Sequence, residues 1–187
     1  MDASMLGRLL ELAVVAIFAV VGVQMLRTYL GKRKIRSDFD SAMRDIARGA
    51  VKLARKRFKV DLDFSPSSID RLEEMLGKIH ERHLQNPLSD DELAVQSMRW
   101  GAYIGEVLRQ VRPGKWYRDS EKMGPGTIPF VYDSGEQAFP RSWVYKRIVD
   151  GDLDNIATKF RLFSDPAFLE NAHRDGDVMP LHGNTNE

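Results

Sequence analysis

Fifteen residues from Leu12 to Leu26, LAVVAIFAVVGVQML, contain one polar side chain, Gln24. The wider run from Leu9 to Leu30 holds 22 residues, interrupted by Glu11, Gln24, Arg27 and Thr28. Coiled as a helix it measures about 33 Å, close to the roughly 30 Å hydrocarbon thickness of a bilayer. A cleaved secretory signal would carry a basic leader and a small-x-small exit. Here only Arg8 precedes the core, and Gln24-Met25-Leu26-Arg27 follows it. A buried helix of a water-soluble domain would need a large apolar partner, and the next segment is too basic to be one. The run therefore predicts a transmembrane anchor over residues 1–30.

Lysine and arginine set the expected orientation, because they concentrate on the cytoplasmic flank of a span. Asp2, Arg8 and Glu11 stand before the run; Arg27, Lys32, Arg33, Lys34 and Arg36 stand just after it. These five cations are the expected lipid-headgroup contacts, with Arg27 snorkelling on its aliphatic stem. The expectation is a single-pass protein of a bacterial inner (cytoplasmic) membrane, its C-terminal bulk in the cytosol. The absence of cysteine fits a compartment that does not staple domains with disulfides.

A net charge of +1 hides a strong asymmetry. Residues 27–59 carry twelve Lys/Arg against three Asp, whereas residues 60–187 carry fifteen bases against 22 acids. Residues 31–60 read as a basic juxtamembrane helix, with Phe39, Met43, Ile46, Ala50 and Leu53 forming one apolar stripe among the charges. Such a helix either lies on an anionic leaflet or packs its stripe on the following domain. Nucleic acid is a poorer partner, since among the bases from Arg44 to Lys59 one aromatic, Phe58, is interleaved and no reader motif is present.

Residues 61–169 predict an α+β head, helices packed on a short antiparallel sheet, and 170–187 a disordered polar tail. Ser65-Pro66, with Phe64 and Ile69 as staple, predicts one helix start; Ser89 with Glu92 predicts a second by the capping-box pattern. The second helix, reaching about Val111, is apolar over most of its circumference and should be central. Gly101 and Gly105, four apart, predict close approach by a strand or another helix. Strands are expected at Lys115–Arg118, Thr127–Tyr132 and Gln137–Phe139. Helices are expected at Ser142–Val149 and from about Asp152, the latter burying Leu153, Ile156, Ala157 and Phe160.

Little in this sequence marks chemistry. His80 and His83 have a metal-compatible spacing but no third ligand. Asp150, Asp152 and Asp154 open like a calcium loop, yet Asn155 and Arg161 occupy positions that need Gly and Glu. No cofactor motif, nucleophile grouping or phosphate-cradling loop is marked out, so no metal, cofactor or catalytic residue is assigned. Glu106, inside WGAYIGEVL, is either paired with Arg109, Lys146 or Arg147, or held at a raised pKa for acid–base work. Trp100, Tyr103, Glu106, Trp116, Trp143 and Lys146 are the candidate partner-binding set, the tryptophans serving as core or as an aromatic contact patch.

The segments LDFSPSSIDRL (62–72) and GAYIGEV (101–107), then Trp116, Phe139-Pro140, Val144, Lys146-Arg147 and Gly151, resemble an uncharacterised bacterial domain family of unknown function. The likeness spans roughly residues 62–163, and its Gly-Ala-Tyr-x-Gly-Glu-Val segment is the most specific part. It implies a small α+β fold and a bacterial setting, and it brings no established catalytic residues. The resulting expectation is a membrane-tethered, non-catalytic protein-binding or accessory module with an unidentified protein partner. The rival expectations are an enzyme using Glu106 in an aromatic-lined pocket, or an anionic-lipid surface sensor acting through the basic helix.

Overall fold

The computed structural model describes residues 39–165, together with Val21 and Gln24. The chain divides between Ser41 and Ala42 into two units, and the elements below belong to the second apart from the first three residues of α1. The anchor expected over residues 1–30 lies outside the described residues, Val21 and Gln24 excepted, as do Arg27, Lys32, Arg33, Lys34, Arg36 and the tail 170–187. Among the described residues no helix is long and apolar enough to cross a membrane. The fold is α+β: five α-helices and one three-stranded antiparallel sheet among those residues.

Helix α1 (Phe39–Leu53) continues into a wider π turn, Ala54–Phe58. Met43, Ala47, Ala50 and Ala54 are fully buried, while Arg44, Arg48, Lys52, Arg55, Lys56, Arg57 and Lys59 are all exposed. From Ala42 this helix belongs to the same compact unit as the head, and Phe58 meets the edge of Trp100 at 6.0 Å between ring centroids. Of the expected stripe Met43 and Ala50 are buried while Phe39, Ile46 and Leu53 are half-buried, so the helix packs on the rest of its unit along a line shifted to Met43, Ala47, Ala50 and Ala54. Small alanines suit such a stripe because they let neighbours approach without loss of side-chain entropy.

Helix α2 (Ser68–Gln85) starts two residues later than the predicted first position, Pro66. Ser65 does not cap it: the Ser65 hydroxyl donates to Asp63 Oδ1 at 2.6 Å. Its carbonyl instead accepts from the Ser68 N–H, leading the chain through a tight turn. Phe64, expected to staple against Ile69, stacks on Tyr103 at 4.9 Å. Helix α3 (Asp90–Val111) begins as the pattern predicts, with the Ser89 N–H donating to Glu92 Oε2 at 2.9 Å and the Glu92 N–H returning to Ser89 Oγ at 3.4 Å. All eight residues from Gly101 to Leu108 are buried.

Strands β1 (Gly114–Trp116), β2 (Phe130–Tyr132) and β3 (Gln137–Ala138) pair in that order. Their register places Trp116 opposite Phe130 and Phe130 opposite Ala138. Period-two alternation sends Gly114, Trp116, Phe130 and Tyr132 inward and leaves Lys115 outside. The β1–β2 connection is organised by buried Ser120, whose hydroxyl donates to Gln137 Oε1 at 2.6 Å and accepts from the Lys122 and Met123 N–H groups.

Helix α4 (Pro140–Asp150) packs mainly on α3 and also on α2; α5 (Ile156–Ser164) closes against α2, α3 and α4. A 3-10 turn, Gly151–Asp154, separates α4 from α5. It overturns one expectation: Leu153 is 94% exposed, while Ile156, Ala157 and Phe160 are buried. Gly151, at φ +79°, ends α4, and the tighter turn takes Leu153 out of the helical phase that continues from Ile156.

Candidate functional site

The capping box starts α3 in a fixed place, and about five turns later this helix delivers Glu106 to the sheet. Gly105, just before it, is the reason the sheet can come so close. A Cβ at Gly105 would stand 1.9 Å from the Trp116 indole, so only glycine admits the ring there. Trp116 then donates from Nε1 to Glu106 Oε1 at 3.1 Å. Gly101, one turn earlier, faces the backbone of Pro140 and Arg141 at the start of α4. The two glycines thus receive a neighbouring helix and a strand respectively.

Glu106 is 8% exposed, and its ion-pair partner is Arg109 rather than Lys146 or Arg147. Arg109 Nε and Nη2 donate to Oε2 and Oε1, both at 3.1 Å, a two-pronged geometry that matches guanidinium to carboxylate. Arg109 Nη1 also reaches the Gly114 carbonyl, and its guanidinium lies 5.2 Å over the Phe130 ring. With Trp116 included, both carboxylate oxygens have donors from the protein itself.

One turn further, Arg112 repeats the arrangement. Its guanidinium sits 4.6 Å over the Tyr132 ring, and Nη2 donates to Ser134 Oγ at 2.7 Å and to the Glu136 carboxylate at 3.5 Å. Phe130 and Tyr132 lie two apart on one strand face, while Arg109 lies in the last turn of α3 and Arg112 is its extended C-cap residue. The strand repeat and the end of the helix thus bring two cation–π contacts together. Both cations stand at the C-terminal end of α3, where the helix dipole favours them. Burial pushes the Glu136 carboxyl up, but bonds from Ser134 and its own N–H, with the Arg112 charge, hold it below the ordinary carboxylate range.

Tyr103 faces another part of the core. Its hydroxyl accepts from the Phe64 N–H at 2.9 Å and meets Ser68 Oγ at 2.5 Å. Because Ser68 Oγ donates to the Ser65 carbonyl at 2.6 Å, the proton between the two hydroxyls belongs to Tyr103. Burial pushes the Tyr103 pKa up, with the Ser68 and Phe64 bonds opposing it. This hydroxyl pins the turn in which Phe64 takes φ +62°, an unfavourable backbone for an aromatic residue.

The structure thus places most of the candidate set in the core. Trp100 is fully buried and donates from Nε1 to Gln96 Oε1 at 2.8 Å. Trp143 is fully buried against Phe163 at 4.9 Å, and Trp116 and Tyr103 are buried as described. Lys146 is half-buried on α4. Trp116 and Glu106 are brought into contact; Trp100, Tyr103 and Trp143 sit in packing environments of their own. These aromatics form core, not an exposed contact patch.

The histidines are also committed locally. His80 Nδ1 bonds the Ile148 carbonyl at 2.8 Å, and His83 Nδ1 accepts the Leu88 N–H at 3.0 Å. Among the described residues no group of three His, Cys, Asp or Glu side chains is placed to hold a metal. Asp152 pairs with Arg147 at 2.8 Å, and Asp154 pairs with Lys159.

Sequence reasoning missed a second buried ion pair. Arg147 Nε donates to Glu73 Oε1 at 2.5 Å, and Glu73 Oε2 accepts the Ile156 N–H at 2.7 Å. Glu73 is 9% and Arg147 3% exposed. The available signal was position: Glu73 lies four after Ile69 and three before Leu76, on the flank of the apolar stripe. Compared with known protein families, with curated proteins and with solved structures, the chain matches none of them.

Proposed function

We propose that this protein is a membrane-tethered, non-catalytic accessory module that binds a protein partner through the outside of its α+β head. The apolar run within residues 1–30 serves as a single span in a bacterial inner membrane, with Arg27, Lys32, Arg33, Lys34 and Arg36 at the cytoplasmic headgroups and the head in the cytosol. Tethering raises the local concentration of the head at the membrane and so strengthens weak contacts without new ones. The observation that favours this reading over the enzyme alternative is the engagement of Glu106, whose Oε1 accepts from Arg109 and Trp116 and whose Oε2 accepts from Arg109. The enzyme alternative needs that carboxylate open to a substrate.

The test is crosslinking of the tagged full chain in its native cells, beside a chain lacking residues 1–30. The expected result is one abundant partner whose crosslinks map to exposed head residues and weaken when the anchor is removed. A folded, membrane-located protein with no partner above background overturns the reading. Full solubility of the intact chain after an alkaline wash of the membranes overturns the tether.

A further inference from the structure

Seven bases stand against two acids between Phe39 and Lys59, and all seven are exposed. Arg44, Arg48, Lys52 and Arg55 follow at steps of four, four and three, so they share one face and form a cationic row about 17 Å long. The roughly opposite face, Met43, Ala47, Ala50 and Ala54, is buried. Arg48 is offset by Asp45 and Arg55 by Asp61, both in exposed pairs that hold little energy and can be exchanged. Lys52, Lys56 and Arg57 make no ion pair among the described residues.

We propose that this face of α1 docks on an anionic bilayer leaflet by charge alone, without inserting. An interfacial helix that inserts needs a broad apolar face directed at the acyl chains; here the apolar stripe is already buried. Two features select lipid as the occupant. Eight residues, Gly31 to Asp38, separate the apolar run from α1, and fully extended they reach at most about 28 Å, so headgroups stay within range of the row. Residues 60–187 carry 22 acids against fifteen bases, so an anionic surface attracts α1 and repels the rest, which turns the head's other faces outward. This deepens the tethered reading and rests on it for the proximity argument.

The test uses the full chain reconstituted in vesicles of phosphatidylcholine, with or without phosphatidylserine. Lysines are pulse-labelled with a water-soluble amine reagent and read by peptide mass spectrometry, with exposed Lys115 as internal control. Labelling of Lys52 and Lys56 should fall on the order of threefold or more in the phosphatidylserine vesicles, recover in high salt, and leave Lys115 unchanged. The Arg48→Gln/Lys52→Gln/Lys56→Gln chain, its fold checked by tryptophan fluorescence, should lose salt-sensitive adhesion to those vesicles. Equal labelling in the two vesicle types overturns the proposal. So does salt-sensitive binding to duplex RNA or DNA that exceeds binding to the anionic vesicles. Retention on neutral vesicles after an alkaline wash scores the anchor separately. A chain that fails there yet adheres to anionic vesicles supports the row and removes the tether.

Discussion

Glu106 and Arg109 meet three residues apart on one helix, whereas Glu73 and Arg147 meet across two helices, 74 residues apart. Both pairs are buried, yet they do different work. The local pair closes the end of α3 and clamps it to β1 and β2 through Trp116, Gly114 and Phe130. The distant pair joins α2 to α4, and its second carboxylate oxygen takes the Ile156 N–H at the start of α5, where a negative charge also suits the helix dipole. A buried pair gains little over a well-packed apolar substitute, but breaking one side strands a charge. The comparison therefore predicts unequal costs: a stranded Arg147 has few substitutes, while a stranded Arg109 keeps a carbonyl and an aromatic face.

The largest effect should come from Glu73→Ala. It leaves Arg147 with exposed Asp152 as its remaining carboxylate and the Ile156 N–H without an acceptor. The expected loss is about 3–5 kcal/mol in urea unfolding of the intact chain, followed by the three buried tryptophans. The double replacement Glu73→Leu/Arg147→Met should recover the part due to the stranded charge, the Ile156 N–H remaining without its acceptor. If the single change costs as little as an exposed pair, the joining role of Glu73 is wrong.

Gly105→Ala attacks the local pair from beneath. The new methyl occupies the place of the Trp116 ring, so the indole must move and its bond to Glu106 must break or stretch. Overpacking of this kind costs about 1–3 kcal/mol, and the Trp116 emission should shift with it. Glu106→Gln is gentler. The amide oxygen still accepts from Trp116, and Arg109 keeps Gly114 and Phe130, so about 1–2 kcal/mol is expected. A Glu106→Gln loss equal to that of Glu73→Ala would erase the distinction between the two pairs.

What was legible in the sequence follows the same division between near and far. The Ser89–Glu92 capping box, the buried length of α3 and the tight approaches at Gly101 and Gly105 are written in spacings of three and four, and local physics decides them. Arg109 stood among the predicted partners of Glu106 because it lies one turn away. Nothing local says that Glu73 faces Arg147; at Ser65 two local signals compete, and the turn with Asp63 two residues before it wins over the helix cap. Leu153 was placed inward by continuing a helical period through a segment where Gly151 and a 3-10 turn reset it. The aromatic residues stand out in the sequence, and their burial shows a small core filled by large side chains. Trp100, Trp116 and Trp143 are 0%, 3% and 1% exposed.

The smallest effect concerns two carboxylates outside the buried pairs, and it sharpens the comparison by showing what hydrogen bonds without full burial contribute. Glu136 and Glu92 are both held below the ordinary carboxylate range. For Glu136, burial raises the value but is outweighed by Ser134, its own N–H and Arg112; for Glu92, the Ser89 N–H and hydroxyl lower it. A group whose folded pKa is depressed binds protons less readily folded than unfolded. Its contribution is complete above the unfolded value, about 4.3 for Glu, and is lost as pH falls through the folded value. Stability should therefore decline from about pH 5 downward, and the Glu92→Gln/Glu136→Gln chain should start lower and decline less steeply. Urea midpoints at neutral pH and at the acid end measure both slopes. An identical acid slope in the double variant would mean that the capping box and the Arg112 site do not retain their carboxylates, and that acid sensitivity arises elsewhere in the chain.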